Sequence, residues 1–342
     1  ISVQTAQKKL VKQISYLLSR YYNFLKLIFL AVVLLLLYRQ LSDDNAHQAV
    51  QMVWHKHLKG PNIFYLLICF ILMPLNWLLE SKKWQILMSP FVRLTSANAI
   101  KTVLAGVAAG IVTPARIGEY GGRMITSAPE LRPQVISATL LGSIAQNLCN
   151  ILAGIIFSYY FLKSQFGVTY LHGYTFLVVV SLQVGLMIVM YYNLPKVANF
   201  IDSLIKTKLT QKLSNKLRSL NLYNNRLLHK VLAISALRYV IYVLQYVLII
   251  KFLGATFAPD VLIGNITGIY LVQTILPIPA FFSVIARGEL AILVWTSAGF
   301  DQVSALVATF GLWLINLIIP ALIGLLIIYK TDIKKYFIKN EN

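Results

Sequence analysis

Arginine and glutamate stand close together in two apolar stretches of the sequence, where they could hold a charged ligand. The polar and charged residues concerned are Thr113, Arg116, Glu119 and Arg123 in the first stretch, and Arg287 and Glu289 in the second. An arginine can bind phosphate through two parallel hydrogen bonds, and a carboxylate can accept a proton or an ammonium group. Because an ionised side chain near the bilayer centre costs about 2.5–3.5 kcal/mol on insertion scales, we interpret these residues as candidate substrate-binding residues.

Each group of residues also has a simpler interpretation. The pairs Arg116–Glu119 and Arg287–Glu289 could be internal ion pairs that lock the local backbone. Asn147, in the next apolar segment, is predicted to line the same site, although hydrogen bonding between helices explains an amide there equally well. The sequence leaves both alternatives open.

Proline interrupts both apolar stretches. Pro114 follows the run 97–113, and Pro277 and Pro279 lie inside the run 261–282. Because proline lacks a backbone donor and clashes with the preceding turn, each helix is predicted to break there. Broken backbone at membrane depth occurs only inside protein or around a water-filled cavity. The breaks therefore predict a cavity beside the charged residues.

The composition is that of a membrane protein. Hydrophobic residues make up 58% of the chain and charged residues only 12%, about half the charge of a soluble domain. The net charge of +20 comes from basic residues that flank apolar runs, which indicates membrane orientation rather than nucleic-acid binding. We find no phosphate-binding loop and no hydrolase motif, and His47, His55 and His57 lack the partners of a metal site. No cofactor or metal is expected.

Several apolar runs are long enough to span or enter a bilayer, for which a full helical span needs about 20 residues. The runs are 22–38, 62–79, 97–113, 135–162, 174–192, 231–253, 261–282, 290–299 and 303–329. We interpret 22–38 as a retained span rather than a signal peptide, because no small-residue cleavage site follows it.

The positions of lysine and arginine predict which loops are cytoplasmic. Basic residues are frequent in the N-terminal tail, the 80–96 loop, the 193–230 connection and the C-terminal tail. Three apolar runs lie between the 80–96 loop and the 193–230 connection, yet both connections should face the cytoplasm. An even number of crossings is therefore required, and we expect 97–113 to turn back at its proline.

The predicted fold is all-α and polytopic, with about six full spans and two re-entrant hairpins that start from opposite faces, as in an inverted repeat. The N-terminal half is 1–192, with its hairpin near 97–125. The C-terminal half is 231–342, with its hairpin near 261–299. The alternative has about eight or more full spans and places one positive loop on the wrong side. Both termini are predicted to be cytoplasmic, in the cell membrane.

The connection 193–230 has its own pattern. Leucine, isoleucine, valine and phenylalanine recur there at helical spacing, with lysine and arginine between them. This pattern predicts an interfacial amphipathic helix on an anionic lipid surface. A linker helix that joins the two halves is the other interpretation.

Nearly the whole sequence resembles the lysylphosphatidylglycerol synthase/flippase transmembrane-region family, which includes the membrane domain of the multiple peptide resistance factor. The resemblance rests on residues 80–84 (ESKKW), 113–119 (TPARIGE), Arg123, 277–279 (PIP) and Glu289. It implies movement of a lipid-linked substrate between leaflets. Fused members carry a soluble aminoacyl-transfer domain after the membrane part, and none is expected here because the sequence ends soon after the last apolar run.

Three functions fit these observations. The first is a lipid flippase that does not hydrolyse ATP, with membrane lipid as its partner. The second is a membrane-embedded head-group transferase with Glu119 or Glu289 as general base, and the third is a non-transporting scaffold. We expect transport rather than enzymatic catalysis. Aminoacyl-phospholipids, polyprenyl-phosphate sugars and other glycolipids all suit such a site, and a homo-oligomer is compatible with the sequence.

Overall fold

The computed structural model of the protein describes residues 58, 60–111, 113, 116–157, 170–194, 196, 218–275 and 280–331. Pro114, Pro277 and Pro279, the predicted breaks, lie outside the described residues, as do the predicted span 22–38 and most of the 193–230 connection. The amphipathic helix expected in that connection therefore stays a prediction.

Every regular element in the described ranges is helical. The α-helices are α1 (Ile63–Met88), α2 (Ser96–Ile111), α3 (Gly118–Ile125), α4 (Arg132–Phe157), α5 (Tyr170–Tyr192), α6 (Asn225–Phe252), α7 (Pro259–Ile275), α8 (Ala280–Ser297), α9 (Gln302–Trp313) and α10 (Ile319–Lys330). Short 3₁₀ turns, Pro129–Leu131 and Arg218–Leu222, precede α4 and α6. A π-helical turn, Leu314–Ile318, joins α9 to α10.

Within the described part of the chain, four helical stretches are long and apolar enough to cross a membrane. They are Ile63–Met88, Pro129–Phe157, Asn225–Phe252 and Gln302–Lys330. Each coincides with an apolar run in the sequence, so the prediction of a multi-pass α-helical membrane protein is confirmed. The total of six full spans stays a prediction.

The first of these helices is longer than the sequence analysis predicts. A loop was expected over 80–96, but α1 continues to Met88. Glutamate and lysine favour helix, and here Glu80 and Lys83 find charged partners inside the protein, so both side chains are buried. The prediction that a loop begins at residue 80 is therefore wrong.

Glycine brings α2 and α3 together. A Cβ added at Gly118 would collide with the carbonyl group of Ala109, and one added at Gly122 would collide with that of Ala105. Contact positions rise along α3 as they fall along α2, so the two helices run antiparallel. Small residues permit this close approach between membrane helices. Whether this helical pair enters the membrane as a re-entrant hairpin stays a prediction.

In the second half, the consecutive helices α7 and α8 also contact each other. α7 packs on α4, and α8 packs on α9. A Cβ added at Gly288 of α8 would lie 3.1 Å from the Phe310 ring of α9. The short run 290–299 lies within α8, which is one continuous helix over Ala280–Ser297, in the part of 261–299 that is predicted to return after the prolines.

The helix contacts fall into matched pairs when the two halves are exchanged. α2 contacts α10 as α7 contacts α4, and α1 contacts both α2 and α4 as α6 contacts both α7 and α9. The contacts α2–α3 and α3–α4 correspond likewise to α7–α8 and α8–α9. α1 and α6, which are equivalent in this scheme, pack on each other. Such matching indicates a repeated arrangement of helices, and its inverted orientation stays a prediction.

An aromatic core fixes α6 against α8 and α9. The Trp295 indole N–H donates to the Tyr246 hydroxyl at 3.1 Å, and that hydroxyl lies 2.6 Å from Thr309 Oγ1. Phe257 stacks on Trp295 with ring centroids 5.6 Å apart. Because buried indole and phenol groups need hydrogen-bond partners, this chain of contacts holds the three helices in fixed positions.

Candidate functional site

Glu80 of α1 lies at the centre of a buried group of charges. Its Oε2 is 2.7 Å from Lys83 Nζ and also contacts the Arg238 guanidinium. Its Oε1 is 3.0 Å from a guanidinium nitrogen of Arg123. All four side chains are buried. Since an unpaired buried charge is costly, this one carboxylate stabilises three cations contributed by α1, α3 and α6.

Glu119 extends this group towards the start of α3. Its Oε1 contacts Arg123, and its Oε2 lies 3.4 Å from an Arg116 nitrogen. We call the connected set the Glu80 cluster; its members are Glu80, Lys83, Arg116, Glu119, Arg123 and Arg238. Four cations against two carboxylates leave the Glu80 cluster with two excess positive charges.

Arg238 is held by neighbours from three helices. Its Nε donates to Asn76 Oδ1 at 2.8 Å, and its Nη1 donates to Gln146 Oε1 at 3.0 Å. Its Nη2 donates to the Tyr242 hydroxyl at 3.2 Å. The guanidinium also lies 5.7 Å from the centre of the Trp77 ring, within the range of a cation–π contact. Arg238 thus ties α6 to α1 and α4 in one orientation.

A cavity of about 260 Å³ opens beside the Glu80 cluster. We call it the central cavity. Three arginines line it, namely Arg116, Arg238 and Arg287. Five amide side chains also face it, namely Gln146, Asn147, Asn150, Gln273 and Asn316. The aromatic part of the lining is Trp77, Tyr239, Tyr242, Tyr246, Tyr270 and Trp313. Among the described residues, no aspartate or glutamate belongs to this lining.

A tight turn places Arg116 at the cavity. The Gly118 backbone N–H donates to Thr113 Oγ1 at 2.7 Å, which closes the turn just before α3. Arg116 has φ +57°, in the left-handed region, a conformation that is unfavourable for residues other than glycine. Its side chain is 52% exposed. Arg116 is therefore a half-exposed member of the Glu80 cluster that also lines the central cavity.

Arg287 of α8 reaches the central cavity from the second half. It has no ion-pair partner among the described residues, and its electrostatic neighbours are Arg116, Tyr242 and Tyr270. Glu289 is exposed and is not part of the lining. Side chains two residues apart on a helix point to nearly opposite faces, so Arg287 and Glu289 do not pair in the structure.

Asn316 lies in the π-helical turn between α9 and α10. It lines the central cavity, it is only 6% exposed, and neither its Nδ2 nor its Oδ1 has a hydrogen-bond partner in the described chain. Tyr239 also lines the cavity, and its hydroxyl has no hydrogen-bond partner in the described chain. Because buried polar groups are almost always hydrogen-bonded, and π-turns recur at functional sites, these atoms are left for a partner outside the described chain, such as water or a polar ligand.

The structure brings together some of the predicted site residues. Arg116, Arg287 and Asn147 line the central cavity. Glu119 and Arg123 belong to the adjoining Glu80 cluster, where the predicted Arg116–Glu119 ion pair is also present. Thr113 shapes the turn before α3. Their predicted contacts with substrate stay predictions, as does the role of Glu289.

Sequence reasoning missed Arg238 and Asn316. The signal for Arg238 was available, since an arginine within the apolar run 231–253 is itself an intramembrane charge. Asn316 gave a weaker signal, because a single amide in an apolar helix commonly bonds to another helix. No group of three metal-binding side chains occurs in the described ranges.

A second cavity, of about 360 Å³, lies among the ends of α1, α2, α3 and α10. Thr126 and Ser127 line it, and their hydroxyls donate to the carbonyl oxygen of Arg123. Lys101 of α2 also lines it. The Glu80 cluster therefore touches the central cavity through Arg116 and Arg238, and it is joined to the second cavity through Arg123.

Comparisons with known proteins identify the family of the chain. A comparison with curated proteins finds no match. The family model described as "Lysylphosphatidylglycerol synthase TM region" matches residues 23–324, which is most of the chain. This protein therefore belongs to the lysylphosphatidylglycerol synthase TM region family.

Proposed function

We propose that this protein is a lipid translocase that moves a lipid or lipid-linked head group between membrane leaflets without hydrolysing ATP. One observation carries the proposal. The central cavity is inside a multi-pass membrane protein, and three arginines and five amides line it without a carboxylate among the described residues. Arginine clusters bind phosphate groups, and a phosphate is the group that most membrane lipids must carry through the hydrocarbon layer.

In this mechanism the head group occupies the central cavity while the acyl chains stay in lipid. Arg116 and Arg287 come from the two corresponding helical pairs, one in each half of the chain. Movement of one pair against the other would open the cavity first to one leaflet and then to the other, as in transporters with inverted repeats. We propose that both pairs are re-entrant hairpins.

The Glu80 cluster acts as the element that resists opening. It joins α1, α3 and α6 through one buried carboxylate, and it lies next to both cavities. Binding of a phosphate would offer Arg116 a second anionic partner, and so would weaken its 3.4 Å contact with Glu119. A ligand that binds one arrangement better than the other shifts the population towards it.

We further propose that the protein works in the cell membrane with both termini in the cytoplasm. Membrane lipid is its partner, and it carries out transport rather than catalysis. Within the basic connection 193–230, the part that precedes α6 would then lie on the anionic cytoplasmic leaflet.

Reconstituted liposomes test this function. The purified protein should expose labelled lipid head groups of the inner leaflet to a membrane-impermeant quencher faster than protein-free liposomes do. Four variants each remove one predicted site charge, namely Arg116→Ala, Glu119→Gln, Glu289→Gln and Arg287→Gln. Arg226→Gln is the matched control, because Arg226 is exposed at the start of α6 and lines neither cavity.

The proposal expects Arg116→Ala and Arg287→Gln to slow lipid movement by about tenfold or more, because each removes charge-assisted hydrogen bonds to the head group. Arg226→Gln should keep the wild-type rate. Wild-type movement in all four site variants would show that lipid does not pass through this cavity.

A further inference from the structure

Resting on the proposed function, we infer that the central cavity selects a head group with an anionic phosphate and an uncharged, hydroxyl-bearing substituent such as a polyol or a sugar. A head group that carries an ammonium or aminoacyl group is disfavoured. The inference comes from the side chains that face the cavity and from those that do not.

The phosphate part of the inference follows from charge. Arg287 has no ion-pair partner in the described part of the chain, and Arg116 has a half-exposed side chain with one ion-pair contact at 3.4 Å. With Arg287 added to the Glu80 cluster, the group carries three excess positive charges. Two arginines that face one cavity repel each other unless an anion lies between them, and phosphate suits their planar donors.

The hydroxyl-bearing part follows from the uncharged polar groups. Asn316 offers a donor and an acceptor, and Tyr239 offers a hydroxyl, all without partners in the described chain. Asn147 and Gln273 add further amides to the same wall. Hydroxyl groups both donate and accept, so they satisfy amides in either orientation. An ammonium group only donates, and it would leave the amide N–H groups unpaired.

An ammonium group is disfavoured because the carboxylates and two of the aromatic rings that could bind it already contact arginine or lysine. Glu80 and Glu119 are the carboxylates of the adjoining Glu80 cluster; each is engaged by arginine or lysine, and neither belongs to the cavity lining. Aromatic rings could bind an ammonium group instead. The Trp77 and Tyr242 rings, however, already lie 5.7 Å and 5.6 Å from the Arg238 guanidinium. A second cation there would add repulsion.

The test is binding of lipids to the full-length protein in nanodiscs, measured by displacement of a fluorescent phosphatidylinositol. We expect phosphatidylinositol and phosphatidylglycerol to bind about tenfold more tightly than phosphatidylethanolamine or lysyl-phosphatidylglycerol, a ratio set by one to two charge-assisted hydrogen bonds. Equal or tighter binding of the two amine-bearing lipids overturns the inference.

Variants locate this preference in the cavity. Arg287→Gln should lower the affinity for phosphatidylinositol by about tenfold or more. Asn316→Leu should reduce the ratio of the affinity for phosphatidylinositol to that for phosphatidic acid, because phosphatidic acid has no polyol. Arg226→Gln should change neither. If Arg287→Gln lowers the melting temperature, Arg287→Lys keeps the charge and separates binding from folding. If Arg226→Gln lowers the affinity for phosphatidylinositol as much as Arg287→Gln does, the assignment of binding to the central cavity is wrong.

Soluble probes separate a lipid head group from a free phosphate compound. Glycerol 3-phosphate and inositol 1-phosphate should compete only weakly, whereas competition as strong as that of the lipids would assign the cavity to a soluble phosphate and overturn the lipid assignment. Liposomes separate the two proposals. Movement of lysyl-phosphatidylglycerol but not of phosphatidylinositol refutes the inference alone, and selective binding of phosphatidylinositol without movement of any lipid refutes the translocase alone.

Discussion

The Glu80 carboxylate of α1 contacts the Arg238 guanidinium of α6, so that the two halves of the chain share one buried ion pair. Lys83 and Arg123 contact the same carboxylate. The two helices are equivalent in the matched pattern of contacts. A single acidic side chain thus lies at the junction of the two halves.

Replacing Glu80 with glutamine should destabilise the protein strongly. The substitution leaves Lys83, Arg123 and Arg238 buried without their shared counter-charge, and removing one partner of a buried ion pair costs about 3–5 kcal/mol. Thermal unfolding in detergent, followed by circular dichroism, should show a clearly lower melting temperature. The control is Glu130→Gln, since Glu130 is exposed in the short turn before α4, and its effect should stay within about 0.5 kcal/mol. Equal melting temperatures for the two variants would contradict the central role of Glu80.

Two neighbouring glycines of α3 should respond oppositely to alanine. In Gly122→Ala the new Cβ would collide with the backbone of α2, whereas in Gly121→Ala it would meet no atom within 4 Å. Overpacking costs about 1–3 kcal/mol, while alanine in place of an unrestrained helical glycine stabilises by about 0.5–1 kcal/mol. Melting temperatures of both variants check this, and a lower value for Gly121→Ala than for Gly122→Ala would rule out the close α2–α3 contact.

The long helices of this protein can be predicted from its sequence. Apolar runs predicted the long helices, because the bilayer requires continuous hydrophobic helix. Helices α2 and α7 likewise coincide with the apolar runs 97–113 and 261–282. These features depend on local sequence alone.

The Glu80 cluster could not be predicted in the same way. Glu80 and Arg238 are far apart in the sequence, and no spacing rule joins residues on different helices. Arg287 and Glu289 were expected to act together, but helical geometry separates their directions. Packing between helices, which sequence periodicity does not encode, decides these contacts.

Asn316 should show opposite effects on stability and on function. In Asn316→Leu an amide without partners in the described chain is replaced by an apolar group of similar size, which should be neutral or should stabilise by about 1–3 kcal/mol. Lipid binding and movement should fall, because the cavity loses a donor and an acceptor. In Thr309→Val the 2.6 Å contact with the Tyr246 hydroxyl is lost, and this variant should be destabilised by about 1 kcal/mol. A destabilised Asn316→Leu with unchanged lipid binding would assign Asn316 a purely structural role.

The left-handed backbone at Arg116 permits a comparison of alanine with glycine. Arg116→Ala and Arg116→Gly both remove the guanidinium, so both should slow lipid movement to the same extent. Glycine tolerates φ +57°, whereas alanine there costs about 1–2 kcal/mol. The glycine variant should therefore melt at a higher temperature than the alanine variant. Identical melting temperatures would mean that this strain is absent in the protein.

The most direct test of the central claim is an experimental structure of the protein determined in lipid nanodiscs with phosphatidylinositol. We predict density for a lipid head group inside the central cavity, with its phosphate within hydrogen-bonding distance of Arg116 and Arg287 and its ring beside Asn316. A central cavity that contains only water, with lipid confined to the outer surface of the helices, would contradict the account.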